Sequence, residues 1–167
     1  MSSDGSKARL APIAGEEFRH VCGRFATGVT IATVLDARSR PHGLTVNSFT
    51  SISLTPPLVS ISLGLNVTVL EAFREAEFYG INILADNQRE ISDRFARKGL
   101  DRFANISWHR GKSGAPLLAG CLATLECAVR QRILCGDHEI FVGEVMHSQI
   151  NSGSPLVFYA SGYRKLE

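Results

Sequence analysis

A row of small uncharged polar side chains runs through the stretch from Gly43 to Leu63. Its members are Thr45, Asn47, Ser51 and Ser53. They alternate with apolar residues, as the side chains of a strand do, and the chain contains no Asp, Glu, Lys or Arg from Pro41 to Leu70. A strand that faces bulk water usually carries such charged residues. The row therefore predicts a surface that contacts something other than water.

The chemistry of this row suits a flat ligand with mixed polar edges. Hydroxyl and amide groups can both donate and accept hydrogen bonds, and the neighbouring Phe49 can pack against an apolar body. The isoalloxazine ring of a flavin is a ligand of this kind. The pattern alone leaves open whether Ser51 and Ser53 face such a pocket or serve strand pairing.

A helix start follows the row. Thr68 precedes Glu71 by three residues, a spacing that predicts a capping box and a helix from about Val69. Free backbone N–H groups and the positive end of the helix dipole suit a phosphate at this position. The alternative is that Thr68 and Glu71 only cap the helix.

Several familiar catalytic devices are absent from the sequence. It has no GxSxG, HExxH or GxGxxG motif, and its five histidines show no metal-ligand spacing, so we predict no metal site. The "GKS" at Gly111 to Ser113 resembles a phosphate-binding loop, but Ile106 stands where the upstream glycine is required. The four cysteines form no CxxC pair, which predicts reduced thiols and a cytoplasmic protein.

The bulk composition describes an ordinary globular chain. With 167 residues, 44% of them hydrophobic and 20% charged, it can bury its own core as one domain. We expect a flexible tail at residues 1–14 and a single domain over 15–167. A net charge of +2 is too mild to indicate nucleic-acid binding. The longest uncharged run contains Pro56 and Pro57, so no membrane span is expected either.

Around these polar segments, the hydrophobic periodicity predicts a mainly β protein with inserted helices. Strands are expected at 29–35, 42–54, 58–64, 79–84, 121–134, 138–150 and 155–166. Helices are expected from about residue 15 to a point before Gly28, from 69 onward and over 86–99, the last capped by Asp86. Short connections favour antiparallel pairing, so six or seven strands predict a closed or split barrel rather than a parallel sheet.

The sequence also assigns faces to the last third of the chain. Along 121–134, alternation predicts a buried face that includes Cys121 and Cys127 and a solvent face that includes Thr124 and Glu126. The stretch from Leu100 to Gly120 has little periodicity, and we expect a loop that covers part of the fold.

The order of these segments resembles the flavin reductase family with an FMN-binding split barrel. The resemblance runs from about Phe25 to Arg164, and its most specific parts are "TVNSFTSISLTPPL" and "GDHEIFVGEV". It implies a homodimeric, six- to seven-stranded antiparallel split barrel that binds FMN or FAD and reduces it with NADH or NADPH. Members of this family include reductase components that pass reduced flavin to a partner oxygenase.

The resemblance also implies cofactor-binding positions. The flavin ring and ribityl chain would be held by Thr45, Asn47 and Ser48. The phosphate would lie near Ser62, Asn66 and Thr68. Many relatives place an Arg or Lys close to the phosphate, whereas "SLGLNVTVL" has none, so Arg89 or Arg94 is expected to supply the charge.

For the nicotinamide side, the resemblance implies His138 and Tyr163. His138 would act as a donor or a wall to the nicotinamide and need not be a base, because the two cofactors perform the hydride transfer themselves. The alternatives are a turn histidine that bonds to Asp137, a turn amide at Asn47, and a core or interface tyrosine at Tyr163.

An NAD(P)H-dependent flavin reductase is therefore the predicted function. The first alternative is a non-enzymatic flavin-binding or electron-transfer protein on the same barrel, because a fold that holds flavin need not admit nicotinamide. The second is a dimeric scaffold that has lost its flavin.

Overall fold

The computed structural model describes residues 11–166, and the bounds of its elements follow. The helices are α1 (Gly15–Cys22), α2 (Leu70–Glu75) and α3 (Arg89–Ala96). The first six strands are β1 (Thr27–Gly28), β2 (Thr30–Leu35), β3 (Pro41–Val46), β4 (Thr50–Leu54), β5 (Pro57–Gly64) and β6 (Phe78–Ile83). The others are β7 (Trp108–Arg110), β8 (Pro116–Leu118), β9 (Ala123–Cys135), β10 (His138–Ile150), β11 (Val157–Tyr159) and β12 (Gly162–Arg164).

Seven of these strands form one antiparallel sheet in the order β3-β2-β6-β9-β10-β5-β4. Its two edge strands, β3 and β4, follow each other in the chain but are not paired with each other. The inner side chains of β2, β3, β5, β6, β9 and β10 pack into one core, so the sheet curls into a barrel that stays open at its edges. The predicted mainly β, antiparallel split barrel is confirmed.

Helix α2 contributes to the barrel core. Phe73 is 1% exposed and meets the ring of Phe141 edge-on, with centroids 5.9 Å apart. The Nε of Arg74 donates to Glu139 Oε2 at 2.7 Å and so ties the same helix to β10. A second core cluster, which includes Phe95 of α3, packs against Phe103 and Leu118. The two clusters fix the helices against the sheet by burial of apolar surface.

The expectation of one strand over 42–54 is wrong. Strand β3 ends at Val46 and pairs with β2, whereas β4 begins at Thr50 and pairs with β5. The chain therefore leaves one edge of the sheet and joins the other between these residues. Thr45 lies on β3, Asn47 lies in the connection, and Ser51 and Ser53 lie on β4. The polar row is interrupted where the barrel opens.

Both capping predictions are also wrong. The residue before α2 is Val69 and makes no side-chain cap, and Glu71 instead accepts a 2.7 Å hydrogen bond from Arg74. Asp86 opens a 3₁₀ turn over Asp86–Gln88, and it is the Gln88 side chain that accepts a 2.9 Å hydrogen bond from the Ala85 amide. The helix that follows ends at Ala96, before Gly99, with Arg97 in an extended conformation.

The predicted solvent face of β9 is corrected as well. Thr124 and Glu126 are 7% and 1% exposed, because the stretch predicted as a loop contains the β7–β8 hairpin, which covers them. Beyond Val129 the strand is exposed on both faces, including Ile133. The predicted final strand is two short strands, β11 and β12, joined by a turn in which Ala160 and Ser161 have positive φ.

Other expectations concern the termini and the cysteines. The expected tail falls largely on residues 1–10, outside the described part of the chain, and the domain boundary at 15 stays a prediction. All four cysteines are free thiols, with Cys121 and Cys127 buried. Among residues 11–166 there is no helix with the length and apolarity to cross a membrane.

Candidate functional site

Ser48, in the connection from β3 to β4, is hydrogen-bonded to Ser62 of β5. The Ser48 hydroxyl donates to the Ser62 carbonyl at 3.0 Å and accepts from the Ser62 amide at 2.9 Å. Since a hydroxyl has one hydrogen and two lone pairs, Ser48 keeps one lone pair for any further partner. Its main contact is therefore with β5, and it braces the connection between the two edge strands. The Ser62 side chain is half-buried.

Thr45 and Tyr163 converge on Ser92 of α3. The Thr45 hydroxyl donates to the Ser92 carbonyl at 2.6 Å, and the Tyr163 hydroxyl lies 2.8 Å from Ser92 Oγ and 2.9 Å from Asp93 Oδ1. An ionised carboxylate only accepts, so Tyr163 donates to Asp93 and accepts from Ser92. Burial raises the pKa of Tyr163.

The ring of Tyr163 is packed on both sides. It meets Phe158 edge-on with centroids 5.5 Å apart, and the Arg89 guanidinium carbon lies 5.0 Å from its centroid. Tyr163 therefore has the contacts of a packing tyrosine, the alternative considered from the sequence, and its hydroxyl anchors β12 to α3.

His138, Asn66 and Gly64 come together at the end of the β5–β10 pair. Gly64 is the register partner of His138. A Cβ atom on Gly64 would lie 3.2 Å from Asn66 Oδ1 and 3.8 Å from His138 Nε2. The glycine therefore keeps open the space between these two side chains, which a larger residue would narrow.

One nitrogen of the His138 ring already has a partner. Nδ1 lies 2.7 Å from Asp137 Oδ1, and this hydrogen bond lowers the pKa of Asp137. The turn histidine considered from the sequence is thus observed, but the bond leaves Nε2, which faces Gly64, available to a ligand.

Thr68 lines a cleft of about 630 Å³ between the start of β3, the start of α2 and residues 99–104. Arg40 and His42 lie on one side of this cleft and are both bonded to Asp36, whose pKa they lower, the largest contribution coming from the Arg40 backbone amide. Arg102 lies on the other side. We call this space the Thr68 cleft.

Neither arginine expected from the sequence lines the Thr68 cleft. Arg89 lies 3.7 Å from Asp93 and over Tyr163, and Arg94 bonds to the carbonyls of Asp101 and Arg102 at 2.9 Å each. Sequence reasoning missed Arg102. The sequence signal that could have identified it is its position: Arg102 is a basic residue within the stretch 100–120, which was expected to cover part of the fold.

Six of the eight predicted residues form three groups. Thr45 and Tyr163 meet at α3, Ser48 meets Ser62 beside β4, and Asn66 meets His138 beside Gly64. Strand β5 links the last two groups, because Ser62 and Gly64 are two residues apart on it. Asn47 and Thr68 are exposed, and their side chains make no hydrogen bond within residues 11–166.

The groups differ in how much hydrogen-bonding capacity they retain. Thr45 has given its hydrogen to Ser92 and can only accept, whereas Asn47 and Asn66 can both donate and accept. Uncharged donors and acceptors beside space that a Cβ would fill suit the polar edge of a flavin, so the residues present fit that group.

A different polar cluster lies beneath the β7–β8 hairpin. Glu126 accepts hydrogen bonds from the amide of Lys112 at 3.0 Å and from the amide and hydroxyl of Ser113 at 2.5 and 2.6 Å. Burial opposes its ionisation, but the hydrogen bonds from Ser113 and Lys112 outweigh that effect and lower the pKa of Glu126. The "GKS" turn thus holds a carboxylate of its own chain.

Asn82 extends this cluster. It is fully buried, donates to the Ile31 carbonyl at 3.0 Å and to Thr33 Oγ1 at 3.1 Å, and accepts from the Leu118 amide at 2.7 Å. We call Glu126, Asn82 and their partners the hairpin cluster.

Comparison with known proteins agrees with this geometry. The chain matches the flavin reductase-like domain over residues 22–167. It is 40% identical over 90% of its length to the reductase component of 4-nitrophenol 4-monooxygenase/4-nitrocatechol 2-monooxygenase of Rhodococcus opacus, of which it covers 80%. It is 41% identical over 86% of its length to a probable flavin reductase of Rhizobium meliloti, but spans only 46% of that protein.

A solved structure gives the same result. The NADH:FAD oxidoreductase SgcE6 of Streptomyces globisporus C-1027, in complex with NAD and FAD fragments, superposes with a TM-score of 0.86. The two chains are 35% identical, and the match covers 94% of this chain and 98% of that one. The family match spans most of the sequence and the fold is shared. The chain therefore belongs to the flavin reductase-like domain family, which confirms the resemblance inferred from its motifs.

Proposed function

We propose that this chain is an NAD(P)H-dependent flavin reductase that transfers a hydride from NADH or NADPH to FMN or FAD. The observation that carries the proposal is the group formed by Asn66, His138 and Gly64, where polar side chains flank a space that a Cβ would fill. The bound cofactors supply the chemistry, hydride transfer from nicotinamide C4 to flavin N5. The protein has to stack and align the two rings.

In this proposal the polar residues have unequal roles. Asn47 offers both a donor and an acceptor, and Thr45, whose hydrogen is held by Ser92, offers an acceptor. Ser48 contributes mainly by holding the Ser62 backbone of β5 in place. Asn66 and Thr68 would lie near the phosphate of the flavin.

His138 and Tyr163 border the nicotinamide in this proposal. The hydrogen bond that Nδ1 donates to Asp137 fixes the orientation of the His138 ring, so Nε2 can contact the nicotinamide amide without acting as a base. Tyr163 is a positioning residue, because its hydroxyl is committed to Ser92 and Asp93.

The partners follow from the relatives. A matched relative is the reductase component of a two-component monooxygenase, which supports an oxygenase as the recipient of reduced flavin. We also propose a homodimer, because apolar side chains are exposed on the edge strand β4 and at the end of β9. These include Leu54, which is 93% exposed, and Leu134, which is 70% exposed. A cytoplasmic location fits the free thiols.

Steady-state oxidation of NADH and of NADPH, each with added FMN or FAD, tests the proposal. We expect turnover with at least one donor and one flavin. Turnover with none of the four combinations would overturn it. Tight binding of one flavin without oxidation of either nucleotide would indicate the non-enzymatic electron-transfer protein instead. No flavin-dependent rise in thermal stability would indicate the scaffold, because a ligand bound only by the native state must stabilise it.

A further inference from the structure

Arg102 is a half-buried cation without an anionic partner in the described part of the chain. Its Nη1 donates to the Gly43 carbonyl at 2.8 Å and its Nε donates to the Arg97 carbonyl at 2.9 Å. Both partners are neutral carbonyl groups. Burial lowers the pKa of Arg102, and no carboxylate offsets that effect. A partly desolvated charge held in this way favours an anionic ligand.

The other basic side chains of the Thr68 cleft are both bonded to one carboxylate. Arg40 Nη2 and His42 Nε2 lie 2.8 and 3.0 Å from the same carboxylate oxygen of Asp36. The nearest carboxylate in sequence, that of Asp101, accepts the Phe103 amide at 3.1 Å. Arg102 is therefore the cleft residue whose charge remains available to a ligand.

The segment that carries Arg102 is held in place by another arginine. Arg94 of α3 donates from Nε to the Arg102 carbonyl and from Nη2 to the Asp101 carbonyl, at 2.9 Å each. Arg102 in turn bonds to β3 through Gly43. Arg94 thus positions the segment, and Arg102 docks it against the sheet beside Thr68.

We propose that Arg102 pairs with the phosphate of the flavin in the Thr68 cleft, and that Arg94 positions the segment that carries it. This inference rests on the proposed function. It explains how the chain compensates for "SLGLNVTVL", which has no basic residue between Ser62 and Leu70. Arg102 takes the place that the sequence led us to assign to Arg89 or Arg94.

The test compares flavins with and without a phosphate. Dissociation constants of FMN and of riboflavin are measured by fluorescence titration for the unaltered protein and for Arg102→Met, Arg102→Lys, Arg94→Met and Arg97→Met. Arg97→Met is the matched control, because Arg97 is exposed, lies nearby and is not part of the Thr68 cleft. Riboflavin affinity reports whether each variant keeps its ring site.

We expect Arg102→Met to weaken FMN binding about tenfold or more and to leave riboflavin binding within about twofold. Arg102→Lys should recover part of the loss, and Arg94→Met should lose less than Arg102→Met. Equal FMN affinity in Arg102→Met and the unaltered protein would overturn the proposal. So would an equal loss in Arg97→Met, which would indicate a long-range charge effect.

Two further outcomes distinguish a failure of this inference from a failure of the proposed function. If Arg102→Met lost FMN and riboflavin equally, Arg102 would be only a structural anchor of the segment, and the inference would be wrong while the function stood. If the unaltered protein bound none of FMN, FAD and riboflavin, the proposed function itself would fail.

Discussion

The hairpin cluster and the three groups of the candidate site are both polar, but they differ in how many of their hydrogen-bonding groups already have partners within the protein. In the hairpin cluster, Asn82 and Glu126 are almost fully buried, and the protein satisfies them through main-chain and side-chain partners. In the candidate site, Asn47 and Asn66 are exposed, and Thr45 and Ser48 keep unused lone pairs. Polar groups that satisfy one another stabilise a fold, whereas polar groups with remaining capacity are suited to a ligand.

The largest expected effect is on the hairpin cluster. Glu126→Leu should lower the free energy of unfolding by about 3 kcal/mol, because the amides of Lys112 and Ser113 lose a charged acceptor inside the protein. Urea denaturation measures the change. The matched control is Glu144→Leu, which removes only a half-exposed ion pair with Arg130 and should cost under about 1 kcal/mol. Equal losses in the two variants would contradict the assignment.

The next largest effect is expected on flavin binding at the candidate site. The double change Thr45→Val and Asn47→Leu should weaken flavin binding about tenfold and lower stability by only about 1 kcal/mol, the contribution of the bond to Ser92. Fluorescence titration and urea denaturation measure the two quantities. Ser51→Ala with Ser53→Ala on β4 serves as the control. Unaltered flavin affinity in the Thr45/Asn47 variant would place those residues in packing or in an interface.

A smaller effect concerns His138. His138→Ala should raise the KM for the nucleotide about fivefold with a smaller change in flavin affinity, because it removes the free Nε2 beside Gly64. Asp137→Asn weakens the bond to Nδ1 but keeps the ring, and is the comparison. If both variants left nucleotide kinetics unchanged and lost equal stability, His138 would be a turn residue alone.

The smallest effect is a pH dependence of stability. Hydrogen bonds lower the pKa of Glu126 in the folded state, so its contribution is present above the unfolded pKa and is lost as pH falls through the folded value. The stability of the unaltered protein should therefore decline more steeply on acidification below about pH 4.5 than that of Glu126→Gln. Parallel declines would show that this carboxylate does not stabilise the hairpin.

The sequence predicted the barrel better than it predicted the site. The alternating residue types of β9 and β10 and the short connections predicted an antiparallel fold, because strand-forming sequence and turn residues are local information, although the solvent face assigned to β9 was wrong. It did not show that Thr45 and Ser53 lie on different strands, since the switch of pairing partner after Val46 depends on the opposite edges of the sheet. Nor did it show that Glu126 is buried, because the covering hairpin comes from another part of the chain.

The sequence alone also could not show which arginine lines the Thr68 cleft. Arg102 and Thr68 are far apart in sequence, and only the docking of Arg102 on Gly43 brings them to one cleft. Side-chain type indicated which residues could bind an anion, but the choice between Arg89, Arg94 and Arg102 required knowing which carbonyls and carboxylates each one faces.

The rate of flavin reduction under anaerobic conditions, measured with the nucleotide and the flavin that support turnover, tests the central claim most directly. It compares the unaltered protein, the Thr45→Val/Asn47→Leu variant and Glu126→Gln at a temperature where all three are folded. We predict rapid reduction by the unaltered protein and by Glu126→Gln, and a reduction about tenfold slower at limiting flavin in the double variant. Equal rates in the double variant and the unaltered protein would contradict the account.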